Sequence, residues 1–187
     1  MSKTTNNSLT KSYGGKFGKD FVLRTRDDVS IMAKPPKKSL KEPAESQMAI
    51  RYKFKTATRW AKQALQDPDL LAFYQSKANG MKTPYAIAVG DYMTSPIVKE
   101  IDASGYNGII GDRIRIAAID KVKVKSVTVT LTGNDGSMIE SAPCVESLEA
   151  NAWYFTATVA VPDLTGVKIT AVAHDIPQHT GELEMTL

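Results

Sequence analysis

One cysteine, Cys144, is present, so no disulfide can close within the chain. No apolar run approaches the roughly 18–20 residues of a membrane span. The first twenty residues, MSKTTNNSLTKSYGGKFGKD, have no apolar stretch of the kind a secretory signal carries. These absences point to a cytoplasmic protein, or to part of a particle assembled in the cytoplasm, with no membrane partner. Histidine is nearly absent as well, with only His174 and His179. There is no H-E-x-x-H and no G-x-S-x-G motif, and Gly14-Gly15-Lys16 lacks the spacing of a phosphate loop.

Acidic residues are scarce at the front. Residues 1–62 carry fifteen Lys/Arg against five Asp/Glu, whereas residues 97–187 carry seven against twelve. The net charge of +4 therefore hides a basic front and an acidic back. Such a dipole suits nucleic acid, an acidic protein surface, or the other end of a copy of itself. The bland alternative is a solvated basic tail. At 187 residues the chain has room for one domain or two small ones.

What is present is organised around Tyr106–Leu131. Ile114, Ile116 and Ala118 alternate with Arg113 and Arg115, and Val124, Val127, Val129 and Leu131 follow. Period two with β-branched apolar residues predicts half-buried strands. The parity slips at Lys125–Ser126, where a bulge or a strand edge would keep both apolar sets inward. Arg113, Arg115, Lys123 and Lys125 are then outward-facing.

Upstream, residues 1–20 read as a flexible arm. Phe21–Thr25 and Val29–Ala33 read as a hairpin turning at Arg26-Asp27-Asp28, too small to stand alone, and Lys34 to Pro43 as an extended basic linker. Residues 44–66 predict a helix with Ala49, Phe54, Ala57, Trp60, Ala61, Ala64 and Leu65 on one face. Arg51, Lys55, Arg59 and Lys62 form a stripe on another face, either a solvated surface or a ridge for an anion or a second subunit. Asp67-Pro68 and Thr83-Pro84 are cap-then-proline starts for two more helices, to about Lys77 and Met93. Their aromatic residues read as core.

After Pro96 seven or eight strands follow, with Gly133-Asn134-Asp135-Gly136 a strong turn and Trp153–Val161 an aromatic strand, which predicts a sandwich. Ile114–Asp120, Val124–Val129, Asn134-Asp135-Gly136, Trp153–Thr158 and Ile169–Asp175 together resemble the pattern of bacterial immunoglobulin-like domains over residues 96–187. The loop Ile176–Gly181 departs from that pattern. The resemblance implies a fold and no activity. The glycine-rich start, basic hairpin, proline step and then Gln47, Arg51 and Phe54 in helix register resemble the opening of uncharacterised bacterial proteins. Extended arms joined to immunoglobulin-like modules resemble components of phage-like particles.

The expected protein is therefore α+β: an arm and hairpin in 1–43, a helical unit in 44–95 and an immunoglobulin-like sandwich in 96–187. Candidate chemistry is thin. His174, Asp175 and His179 could meet a metal, and Asp112, Asp120, Asp135 and Asp163 lie at turns, but neither set has ligand spacing. Cys144 has no base nearby in sequence. No catalytic residue, cofactor or metal is expected. The expected role is non-enzymatic self-assembly into a filament, tube or shell, with Arg24, Arg26, Arg51, Lys55, Arg59 and Lys62 as assembly or anion contacts. The alternatives are a nucleic-acid-associated protein using the basic front, or a binding module using the sandwich loops.

Overall fold

The computed structural model describes residues 2–5, 14–26, 29–37, 42–80 and 82–187, with no side-chain description for 2–5 and 26. The chain is α+β, with antiparallel sheets and three helices among the described residues.

Four strands come first: β1 (Ser2–Thr5), β2 (Gly15–Phe17), β3 (Phe21–Arg26) and β4 (Val29–Ala33). They pair in the order β1-β4-β3-β2. The hairpin expected at Phe21–Ala33 is present, though its turn at Asp27-Asp28 lies outside the described residues. The arm differs from expectation. Ser2–Thr5 pairs with β4 and Gly15–Phe17 pairs with β3, so polar segments extend the hairpin on both sides. Backbone N–H and C=O groups need no apolar side chains to form a ladder, which is why composition alone read this stretch as unstructured. Residues 6–13 of the expected arm lie outside the described residues.

Three helices follow: α1 (Glu45–Ala64), α2 (Pro68–Lys77) and α3 (Pro84–Tyr92). Asp67 Oδ1 accepts from Asp69 N–H at 2.9 Å and Leu70 N–H at 3.3 Å, and Thr83 Oγ1 accepts from Ala86 N–H at 3.2 Å. Both caps precede a proline whose missing N–H costs nothing at that position. Ala57, Ala61, Tyr74, Ala88 and Val89 form the helical core, with Trp60, Leu70 and Phe73 against it. The small alanines let the helices approach closely, and Tyr74 is the large side chain that fills the centre.

The strand body has eight members: β5 (Ile97–Asp102), β6 (Arg113–Ile119), β7 (Val124–Thr132), β8 (Met138–Pro143), β9 (Val145–Glu146), β10 (Ala152–Thr156), β11 (Lys168–Asp175) and β12 (Thr180–Thr186). One sheet has the order β5-β6-β10-β9 and the other β12-β11-β7-β8. Their inward residues share one core. Ile114 and Ile116 come from β6, Phe155 from β10, Val127, Val129 and Leu131 from β7, and Ile169, Ala171 and Ala173 from β11. Each large apolar side chain removed from water here contributes about 1.5–3 kcal/mol. The slip at Lys125 is a bulge. His174 faces Ser126 and Asp175 faces Val124, so Lys125 is the extra residue and both apolar sets stay inside.

The aromatic strand is shorter than expected, ending at Thr156 rather than Val161. Beyond it the backbone leaves the ladder: Thr158 and Val159 give their N–H groups to the Glu140 carboxylate instead.

Where the two sheets meet at one edge, Gly181 of β12 lies directly on the Pro96 carbonyl, and a Cβ there would overlap that oxygen. Gly181→Ala should therefore lower stability by about 2–3 kcal/mol, as overpacking against unyielding backbone does. Urea unfolding checks this, and an unchanged midpoint would show that the two edges can part.

Candidate functional site

The basic stripe is laid out as its spacing predicts. Arg51, Lys55, Arg59 and Lys62 are all exposed on α1, and none forms an ion pair among the described residues. Arg24 on β3 is exposed too, and the side chain of Arg26 lies outside the described residues. The ion pairs present are elsewhere and long. Arg115 reaches Glu100 and Glu149 at 3.7 Å each, and Lys123 reaches Glu146 at 3.9 Å. Half-exposed pairs of this kind add little to stability.

The apolar face of α1 differs from expectation. Ala57, Ala61 and Ala64 are buried, but Ala49 and Phe54 are exposed. The first half of the helix carries Met48, Ile50, Tyr52 and Phe54 at 52, 60, 75 and 52% exposure. Ile50, Phe54, Ala57 and Ala61 recur at spacings of four, three and four, which is one helix face. That face begins in solvent and ends in the core. The helix wheel gave the face correctly but not how far along it the rest of the protein extends. The N-terminal sheet is also poorly covered: Phe17, Phe21 and Met32 are 72, 42 and 42% exposed.

A polar cluster lies in the seam between the helices and the strand body, and the sequence reading did not anticipate it. Tyr74 O–H donates to Asp91 Oδ2 at 2.6 Å, with both residues fully buried. Burial raises the pKa of the tyrosine, and its bond to Asp91 adds to the rise. His179 N–H donates to Asp175 Oδ1 at 2.6 Å, and His179 Nδ1 lies 3.0 Å from Asp175 Oδ2. The His179 ring meets the edge of Tyr92 on α3, with centroids 4.6 Å apart. Lys121 Nζ reaches the Gly90 carbonyl at 3.5 Å. On the outer side of the seam, Lys77, Lys82 and Lys121 line an open cleft of about 480 Å³ with Ala86, Ile87 and Gly90.

The histidine loop thus brings Asp175 and His179 together and leaves His174 out. His174 and Asp175 are successive strand residues and face opposite sides of the sheet. Asp175 closes the β11–β12 loop. The turn aspartates accept local N–H groups: Asp112 from Asn107 and Ile109, Asp120 from Val122 and Lys123, Asp135 from Ser137, and Asp163 from Thr165. Among the described residues no three His, Cys, Asp or Glu side chains are grouped to hold a metal ion. Burial pushes the Cys144 thiol up to about 12, so at neutral pH it is not a thiolate.

No protein-family model matches this chain, and no curated protein does. Among solved structures, the crystal structure of an engineered protein is similar at 16% identity and a TM-score of 0.35, over 57% of this chain and 29% of that one. A likeness that slight carries no argument about fold or function. The chain also spans under a third of that structure's length. The functional reading therefore rests on the exposed half of α1, the thinly covered N-terminal sheet and the polar seam.

Proposed function

We propose that this chain is a non-enzymatic structural protein whose copies assemble into a filament, tube or shell through the N-terminal sheet and the exposed half of α1. The observation that carries the reading is that half-helix, with four large apolar side chains in solvent and a basic stripe that has no ion pair among the described residues. Ile50 and Phe54 lie on the face that Ala57 and Ala61 carry into the core, and apolar residues left open in this way mark a contact surface. The basic front supplies a complement to the acidic back of a second copy. Among the described residues, the outer strands β1 and β2 each keep one unpaired backbone edge, which can add to a sheet edge of a neighbour. One such head-to-tail contact, repeated without closing, yields an open polymer.

The strand body is read as an immunoglobulin-like sandwich. Strands β5, β6, β10 and β9 share one sheet, and β11 and β12 share the other with β7. This grouping, with β8 as an extra strand beside β7, supports the reading. There is no inter-sheet disulfide, and Trp153 lies on β10 rather than on β7. A sandwich carrying an adhesive front fits a subunit of a bacterial, phage-like particle assembled in the cytoplasm. No helix among the described residues is long and apolar enough to cross a membrane.

Negative-stain microscopy and sedimentation of the purified chain test this reading. Extended or closed assemblies are expected at high concentration and low salt. A chain lacking residues 1–43 should keep its thermal transition and lose at least about tenfold in self-affinity. Full-length protein that stays monomeric and globular at high concentration would sink the proposal. The basic stripe favours a second reading, attachment to nucleic acid. A gel shift that weakens steeply with salt, in protein that does not self-associate, would support it instead.

A further inference from the structure

Two oxygens in the seam, Asp91 Oδ1 and Asp120 Oδ1, are buried with no hydrogen-bond partner among the described residues. Each belongs to a carboxyl group whose other oxygen is occupied. Asp91 Oδ2 accepts from Tyr74, and Asp120 Oδ2 accepts from Val122 N–H at 2.9 Å and Lys123 N–H at 3.1 Å. Asp120 acts on Asp91 both by its charge and through a side-chain hydrogen bond, each of which raises the Asp91 pKa. Two ionised carboxylates cannot satisfy one another, because both only accept. A buried acceptor without a donor is costly, and two like charges side by side add to the cost.

A single proton removes both faults. We propose that Asp91 and Asp120 share one proton, carried by Asp91, and that this proton is a pH-sensitive clasp holding α3 to the β6–β7 turn. Asp91 is the acid because it lies wholly inside the protein with one neutral donor. Asp120 is the accepting partner, its other oxygen already held by two backbone N–H groups.

Every element packed around Asp91 contributes to its setting. Tyr74 faces it from α2. Asp120 and Lys121 come from the β6–β7 turn, where Lys121 binds the carbonyl next to Asp91. Asp175 and His179 come from the β11–β12 loop, and Tyr92 is its neighbour on α3. Burial is the largest influence and pushes the Asp91 carboxyl up to about 6. The Tyr74 hydrogen bond opposes this, and the Asp120 and Asp175 charges reinforce it. The direction in pH follows. An unfolded Asp91 would bind its proton only below the ordinary carboxylate range, so between about pH 4 and 6 the folded state holds the extra proton. This contribution to stability is therefore full in acid and is lost as pH rises through about 6.

Thermal unfolding of the full chain and of Asp91→Asn, each from pH 5 to pH 8, tests the clasp. Asparagine keeps the shape, donates to Asp120 at every pH and still accepts from Tyr74. The clasp should make the wild-type midpoint fall relative to the variant by about 5 °C across that interval. The variant should match the wild type at pH 5 and exceed it at pH 8. Histidine changes charge over the same interval, but both proteins carry the same two, so the difference isolates the pair. Parallel profiles would overturn the proposal. So would an Asp91 carboxyl carbon that titrates in the ordinary range by NMR. A midpoint at pH 8 raised by magnesium or calcium in the wild type alone would also overturn it, since the occupant would then be a cation.

Discussion

Glu140→Ala is expected to cost about 1.5–3 kcal/mol of stability, the range for hydrogen bonds to a charged group. Glu140 is a strand residue and is buried, 8% exposed. It accepts from Thr158 N–H at 3.0 and 3.2 Å, Thr158 Oγ1–H at 2.7 Å and Val159 N–H at 3.3 Å. These bonds hold the segment leaving β10 against β8, across the two sheets. Alanine would take this acceptor from the Thr158 and Val159 N–H groups and release the segment they anchor. Glu140→Gln should cost less, because one oxygen remains while an amide N–H₂ is turned toward other donors. Thr158→Val removes a single hydroxyl bond and should cost about 1–2 kcal/mol. Urea unfolding with an unchanged slope would show that the loss is in the folded state. A Glu140→Ala protein as stable as the wild type would mean that water enters and replaces the carboxylate.

Glu140 also shows where sequence patterns stop being informative. Alternation located β6, β7 and β11, because an apolar residue at every second position is a local property. The bulge at Lys125 was legible for the same reason: a parity slip has few physical remedies. Asp67 and Thr83 were legible as caps because a cap acts within three residues. Glu140 sits at an inward position where the pattern calls for an apolar side chain. Its partners are eighteen and nineteen residues away, in a segment that itself read as strand. The seam was hidden more thoroughly, since Tyr74, Asp91, Asp120 and Asp175 come from four separate stretches. One signal was available: an aspartate, Asp91, inside the apolar helix α3. An acid there requires a partner, though the sequence does not say which. The candidate contacts Arg51, Lys55, Arg59 and Lys62 were visible from spacing. The exposure of Ile50 and Phe54 beside them was not, because a helix wheel cannot show where the body beneath the helix ends.

That exposed face leads to the second large effect. Ile50→Ser with Phe54→Ser is expected to weaken self-association by about 100- to 1,000-fold while leaving the monomer's unfolding midpoint unchanged. Both residues continue the line of Ala57 and Ala61, yet they are 60 and 52% exposed. Burying the rest of each against a neighbour would contribute up to about 1.5–3 kcal/mol, and about 1.4 kcal/mol is a tenfold change in affinity. Arg51→Glu with Lys55→Glu on the other face should act differently. It should slow assembly mainly at low salt, since exposed charges steer encounters and are screened within about 10 Å at 0.1 M. Sedimentation at two salt concentrations separates the two kinds of contact. Apolar loss should persist at both, and charge loss should fade at the higher. If the serine pair instead lowers the unfolding midpoint and leaves association intact, the face packs within its own chain, and assembly must run through the N-terminal sheet alone. If neither pair changes association, the helix takes no part in it, and a basic front open to solvent would favour a polyanionic partner over a second copy.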